Sequence, residues 1–279
     1  MPLCAFKQFR AHRPPVPLCA FKQFRAHRPP VPLCAFKQFR AHRPPVPLCA
    51  FKQMRRILPA REAYKHWAET FDQGTPILAL ESRALAPVLS DVCPDLAGTR
   101  FLDIGCGTGR WLAWAVDRGA RAVGTDLSFE MLFKAARKPG LGGRVVQADA
   151  VLAPFRESQA DVVLCALVIG HMRPIARAMD ALARLAIPGG RVIITDFHPG
   201  ALRRGWKRTF RSGEDTIELE SDPYSIDELS HADLVLEDFR EVPFGEQERH
   251  FFEAAAKADW FDEMRDQPAI LIASYRRRG

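Results

Sequence analysis

What this chain lacks narrows it first. Hydrophobic residues make up 47% of its 279 positions, yet no apolar run approaches the length of a membrane span. The N-terminus has no uninterrupted apolar core of the kind a secretory signal requires, so none is expected. Seven cysteines occur without a single C-x-x-C pair, which leaves zinc-ribbon and thioredoxin-like chemistry unsupported, and no metal is expected. Cys106 and Cys165 fall within predicted buried elements, where a thiol serves as a small hydrophobe. Unpaired cysteines suit a reducing, cytoplasmic setting.

Acidic residues are missing from positions 1–46, which hold nine Lys and Arg. Taking those nine from the total of 40 leaves 31 basic against 33 acidic residues, a net charge of −2. The overall +7 therefore belongs to the N-terminal tail. The remainder is near neutral, so its charge gives no sign of a nucleic-acid groove.

That tail is an exact tandem repeat. The fifteen-residue unit Pro-Leu-Cys-Ala-Phe-Lys-Gln-Phe-Arg-Ala-His-Arg-Pro-Pro-Val occupies 2–16, 17–31 and 32–46, and a fourth copy holds from Pro47 to Gln53. Three prolines per unit limit any helix to about two or three turns, which is marginal in water. A basic, aromatic-bearing tail suits contact with acidic membranes or nucleic acid. It also has the Arg-rich, acid-free character of a transit peptide, but lacks the serines. Identity at every position, regardless of burial, favours a duplication in the coding sequence or translation from upstream of Met54. Residues 1–53 are accordingly expected to be a weakly ordered tail, with 54–279 as the folded domain.

Within that domain the most informative stretch is Phe101-Leu102-Asp103-Ile104-Gly105-Cys106-Gly107-Thr108-Gly109. Apolar residues of strand character run into a loop with glycine at every second position, and a helical pattern follows. Open α/β sheets bind nucleotide-like ligands at such turns. The dinucleotide fingerprint G-x-G-x-x-G would place its third glycine at 110, where this chain has Arg110. Asp103 stands two residues before the first glycine. An acid there is a poor neighbour for pyrophosphate and a good one for an amino acid's ammonium group.

Strands and helices then alternate. Strands are predicted at 100–104, 121–124 running on to Asp126, 144–147 ending at Asp149, 161–167 and 191–195. Helices are predicted at 109–118, 128–138 and 173–186, and two more fill 61–90. This alternation predicts an α/β fold, a mostly parallel sheet with helices on both faces and the ligand at the strands' carboxyl ends. The last third is less regular. A hairpin is expected near 212–215, a short helix at 225–233, strands at 234–242 and 270–275, and a helix at 246–264 carrying Phe251, Phe252, Trp260 and Phe261.

The motifs appear in a telling order: Asp103–Gly109, then Val123-Gly124-Thr125-Asp126-Leu127-Ser128, then Gln147-Ala148-Asp149-Ala150, then Pro188-Gly189-Gly190-Arg191. Over roughly 60–276 this resembles the class I S-adenosylmethionine-dependent methyltransferases. The stretch from Gly124 through Leu132 resembles the type 11 branch that includes quinone-biosynthesis enzymes. Tyr64 to Leu80 is similar to that branch's N-terminal lid. The resemblance implies a Rossmann-like, seven-stranded sheet with an antiparallel last strand. It also implies a helical lid at 54–95 and insertions at 199–224 and 243–267 near the acceptor side. The implied cofactor is S-adenosyl-L-methionine.

The residues support those assignments. Gly105 and Gly107 let backbone approach the cofactor's methionine half. Asp126, twenty-one residues after Gly105, is placed to accept from both ribose hydroxyls. Leu127 then packs on the adenine face, Asp149 accepts from the adenine amine beside the Ala150 backbone, and the Ala166 carbonyl and Asp103 face the ammonium group.

Methyl transfer from a sulfonium needs mainly in-line alignment, with a base only where the acceptor must lose a proton. His171, past the fourth strand, and His198, past the fifth, are the candidate bases. Cys165-Ala166-Leu167-Val168 carries no Asn/Asp-Pro-Pro-Tyr/Phe pattern and no Pro-Cys, which argues against DNA-base methylation. The expected partner is a small organic acceptor, bound through an O, C or N nucleophile; no nucleic acid is expected. Two alternatives stand at this point: an NAD-type oxidoreductase, and a non-catalytic binding protein with a basic tail.

Overall fold

The computed structural model describes residues 55–149, 151–152, 155–221 and 223–279. The repeat at 1–53 and Ala150 lie outside these residues. In chain order the elements are β1 (Arg55–Leu58), α1 (Ala60–Trp67), α2 (Pro76–Val92), β2 (Arg100–Ile104), α3 (Arg110–Val116), β3 (Arg121–Asp126), α4 (Phe129–Ala136), β4 (Val145–Gln147) and β5 (Ala160–Ala166). Then follow α5 (Ile175–Leu185), β6 (Ala186–Phe197), α6 (Pro199–Arg203), β7 (Thr209–Ser212), β8 (Asp215–Leu219), β9 (Leu234–Pro243), α7 (Arg249–Ala254), α8 (Ala258–Met264) and β10 (Pro268–Arg277).

Seven strands form one sheet in the order β4-β3-β2-β5-β6-β10-β9. β2 pairs in parallel with β3 and β5, and β10 runs antiparallel to both β6 and β9. The central strands are apolar on both faces because both are covered. Phe101, Val162, Leu164 and Ile193 face α2 and α3, whose Leu85, Leu89, Trp111 and Leu112 pack against them. Leu102, Val163, Cys165 and Ile194, offset by one residue, face α5 through Ile175, Met179 and Leu182. The two-residue side-chain period of a strand thus sorts one run of sequence into two cores. No helix among the described residues is long and apolar enough to cross a membrane.

Several elements depart from expectation. The segment expected as a purely helical lid opens with β1, which pairs in parallel with β8. With the hairpin β7–β8, it makes a separate three-stranded sheet, β1-β8-β7. That pairing joins residues about 160 positions apart, so no local pattern announces it. The helix expected at 225–233 is a single 3-10 turn, Ile226–Leu229, closed by a Ser225–Glu228 capping box. The helix expected at 246–264 is broken into α7 and α8 at Ala255–Lys257, where Ala256 takes φ +54°. β6 begins at Ala186, earlier than expected. Its register against β5 shifts between Ala160 and Val162, so Pro188-Gly189-Gly190 lies within the strand as an irregularity.

α2 starts at Pro76 because Thr75 caps it, its hydroxyl accepting from the Leu78 N–H at 3.2 Å. Thr75→Ala is expected to lower stability by about 1 kcal/mol. Urea unfolding should show this as a lower midpoint with an unchanged slope.

Candidate functional site

The carboxyl ends of β2, β3 and β5 converge on one cavity. The glycine loop after β2 is held by β3 through three successive amides. Gly105 and Cys106 both donate to the Thr125 carbonyl, at 2.7 and 2.8 Å, and Gly107 donates to Asp126 Oδ2 at 2.9 Å. A loop that binds pyrophosphate needs such N–H groups free. Here they are spent inside the fold. Asp126 Oδ1 also accepts from Ser128 N–H at 2.8 Å. The same carboxylate therefore orients the loop before it and the turn into α4 after it.

The two glycines serve different ends. A Cβ on Gly107 would meet nothing within 4 Å, so open space lies over that backbone. A Cβ on Gly105 would come within 2.4 Å of Val168 Cγ2. The absence of a side chain at Gly105 admits Val168 from the fold itself. Both have positive φ, +72° and +53°, a further reason for glycine.

Asp103, Gly105, Gly107, Asp126, Leu127, Asp149, Ala166 and His171 all line this cavity. Asp103 is buried, with 2% exposure, and its Oδ2 has no hydrogen-bond partner among the described residues. Burial pushes its carboxyl up to about 7; Arg110 opposes this, and the nearby Glu81 and Asp126 add to it. Burial also raises Asp126, against the pull of its backbone donors. Leu127, 44% exposed, presents an apolar surface. Asp149 accepts from Val151 N–H at 2.8 Å. Among the described residues no cluster of three or more His, Cys, Asp or Glu is arranged to hold a metal.

Arg110 has a structural task. Its Nη2 donates to Glu81 Oε2 at 2.6 Å, while the wholly buried Glu81 also accepts from Trp111 Nε1 at 3.1 Å and Thr195 Oγ1 at 3.0 Å. One carboxylate so joins α2, the start of α3 and the carboxyl end of β6. Above the loop, Asp72 accepts from Thr108 Oγ1 at 2.6 Å and pairs with Lys138 at 3.0 Å, fixing the segment between α1 and α2 over the glycines.

The two candidate histidines part company. His171 Nε2 lies 3.4 Å from the Tyr64 hydroxyl and 3.2 Å from Arg208 Nη1. Burial and the Arg208 charge hold this imidazole well below its ordinary range, so it is neutral at pH 7. Burial raises Tyr64 to about 12. Arg208 is itself fixed: it pairs with the fully buried Asp196 and donates to the Leu167 carbonyl at 3.0 Å. Asp196 Oδ2 accepts from Gly170 N–H at 2.7 Å. His198, by contrast, does not line the cavity. Its Nδ1 accepts from Gly200 N–H at 3.1 Å as the cap of α6, and its Nε2 meets Glu241 Oε1 at 2.7 Å. Both ring nitrogens are engaged, and the residue caps α6 outside the cavity.

Sequence reasoning missed Glu81, Tyr64, Asp196 and Arg208 as site-forming groups. The first two sit in the segment read as a lid. Asp196 and Arg208 carry no motif, and only folding brings them to His171.

Comparison with known proteins gives a consistent picture. Residues 102–194 match the family model for a methyltransferase domain. The chain is 36% identical over 130 residues to the biotin biosynthesis bifunctional protein BioHC of Cellvibrio japonicus, covering 45% of this chain and 26% of that protein. It is 34% identical over 114 residues to the demethylmenaquinone methyltransferase of Thermus thermophilus, covering 39% and 52%. The chain thus spans between a quarter and about half the length of these curated relatives. Among solved structures, an S-adenosylmethionine-dependent methyltransferase from Mesorhizobium loti aligns with a TM-score of 0.53 at 21% identity, over 71% of this chain and all of that one. The fold is the Rossmann-like one of these enzymes.

Glu81→Ala leaves Trp111 Nε1, Thr195 Oγ1 and the Arg110 guanidinium without their shared acceptor. The expected loss is about 3 kcal/mol of stability, read by chemical denaturation. A loss within the range of ordinary surface substitutions would show the network to be dispensable.

Proposed function

With a methyltransferase domain at residues 102–194 as premise, we propose that this chain transfers a methyl group from S-adenosylmethionine to a small organic acceptor. The observation that carries the assignment is that Asp103 and Gly107 line the same cavity. A buried carboxylate oxygen with no hydrogen-bond partner among the described residues shares it with a backbone that has open space above it. That arrangement suits an ammonium-bearing ligand laid along the loop. Asp103 takes the ammonium, aided by the Ala166 carbonyl. Asp126 retains lone pairs for the ribose hydroxyls beyond those committed to Gly107 and Ser128. Leu127 covers the adenine, and Asp149 accepts from its amine. Ala150, expected beside it, lies outside the described residues.

The cofactor supplies an activated methyl: as the acceptor atom bonds to carbon, the sulfur–carbon bond breaks and its electron pair stays on sulfur. The chain's part is to hold donor and acceptor in line and exclude water. His171 is the one candidate base retained. It is neutral, and accepting a proton at Nε2 requires it to give up its contact with Arg208. The dinucleotide alternative is disfavoured by the three loop amides that are already bonded. Cys93, Cys106 and Cys165 are free thiols, which suits a cytoplasmic setting.

Titration calorimetry with S-adenosylmethionine tests the site. Asp126→Ala is expected to weaken binding by at least about tenfold, the scale of two lost charge-assisted hydrogen bonds; an unchanged affinity in the folded variant rejects the assignment.

A pH series tests Asp103. In the empty site its carboxyl holds a proton below about 7, and an ammonium ligand binds the ionised form. Affinity should therefore rise with pH, up to about tenfold per unit, flatten at about 7, and fall once the ligand's α-amino group loses its proton at about 8. Asp103→Asn should bind more weakly at pH 8, with that rise removed.

A further inference from the structure

A second cavity of about 1110 Å³ adjoins the first, with Tyr64, Phe71, Leu78 and Leu167 lining both. Its walls are aromatic. Trp206 stacks on Phe244 at 5.7 Å and lies 5.0 Å from Trp260, while Tyr64 stacks on Trp67 at 5.8 Å. Part of the aromatic stretch at 251–261 contributes here: Phe251 and Trp260 line the cavity, whereas Phe252 lines it from within the core and Phe261 is core alone.

The charged residues lining this cavity are all cations: Arg55, Arg204, Lys207, Arg208 and Lys257. No carboxylate lines it among the described residues. The nearest compensation is incomplete. Asp196 neutralises Arg208, and Glu218 is shared by Arg55 and Lys207. Arg204 donates only to the uncharged Pro268 carbonyl, at 3.1 Å. Lys257 is exposed at the break between α7 and α8. Five cations thus meet two carboxylates. The surplus is graded as well. Arg204, Lys207 and Lys257 are exposed, whereas Arg208 is buried where Tyr64 and His171 meet the first cavity.

We propose that the methyl acceptor is an aromatic acid, its ring body between the aromatic walls and its anionic group beside Arg204, Lys207 and Lys257. This rests on the methyl-transfer reading and names the substrate class of the same site. Aromatic walls favour a flat apolar body. The unbalanced cations favour an anion and repel an ammonium-bearing acceptor. With the anion held at the rim, the far end of the ring body reaches the junction at Tyr64 and His171, where the donor cavity begins.

The test uses the full chain saturated with S-adenosylhomocysteine, whose binding is measured first. A panel of aromatic monocarboxylates, including 2-naphthoate and indole-3-acetate, is then titrated beside the matching carboxamides and arylmethylamines. The readouts are calorimetry and quenching of tryptophan fluorescence. The carboxylates are expected to bind roughly five- to tenfold tighter than their carboxamides, with a preference that falls as salt rises. Arg204→Gln with Lys257→Gln should abolish that preference and leave S-adenosylhomocysteine affinity unchanged. If carboxamides or amines bind as well as the acids, or if no carboxylate binds at millimolar concentration, the acid assignment is overturned while methyl transfer stands. Failure of the folded chain to bind S-adenosylhomocysteine overturns both readings.

Discussion

The buried carboxylate of Glu81 is the contact on which the site's framework depends. A lone charge at a fully buried position costs several kcal/mol unless donors surround it. Here Arg110 and Trp111, at the start of α3, and Thr195, on β6, do so. The helix α2 cannot shift relative to α3 without breaking that set. Because α3 begins where the glycine loop ends, the loop's position is coupled to the segment that covers it. Asp72, gripping Thr108 from above, closes the same circuit at the loop's other side.

The two adjoining cavities differ in their charged lining. The one at the ends of β2 and β3 sets Asp103, Asp126 and Asp149 against Arg61, Arg110 and Arg173. The larger one carries cations and aromatic rings. Between them lies a junction of Tyr64, His171 and Arg208, held by Asp196 from beneath. Under the proposed reading the donor occupies the first cavity and the acceptor the second. Only the reacting atoms meet at the boundary, while the acceptor's anion stays at the rim of the larger cavity.

Much of this frame was legible in the sequence because it is local. Strands β2, β3 and β5 announce themselves by apolar runs, and their acidic or glycine ends mark the ligand edge. Asp126 could be picked out because it closes β3, Asp149 because it follows β4, and Asp103 because it stands two residues before the first glycine. What escaped was non-local. The partner of Arg110 lies 29 positions earlier, and Arg208 reaches His171 across 37. The parallel pairing of β1 with β8 spans the length of the domain. His198 looked like a functional histidine because it sits at the right edge of the sheet. The Pro199-Gly200 turn into α6 gave its ring a capping duty that position alone does not reveal.

Arg110 also bears on how such folds diverge. In spelling, a single change to glycine would bring this loop to the dinucleotide fingerprint. In the folded protein that change would take from Glu81 its only charged donor among the described residues, leaving Trp111 and Thr195, and would leave three loop amides still committed to β3. The single change of spelling would therefore not supply the free amides that a pyrophosphate needs. The letter at position 110 answers to a counter-charge in the core as much as to whatever the loop faces.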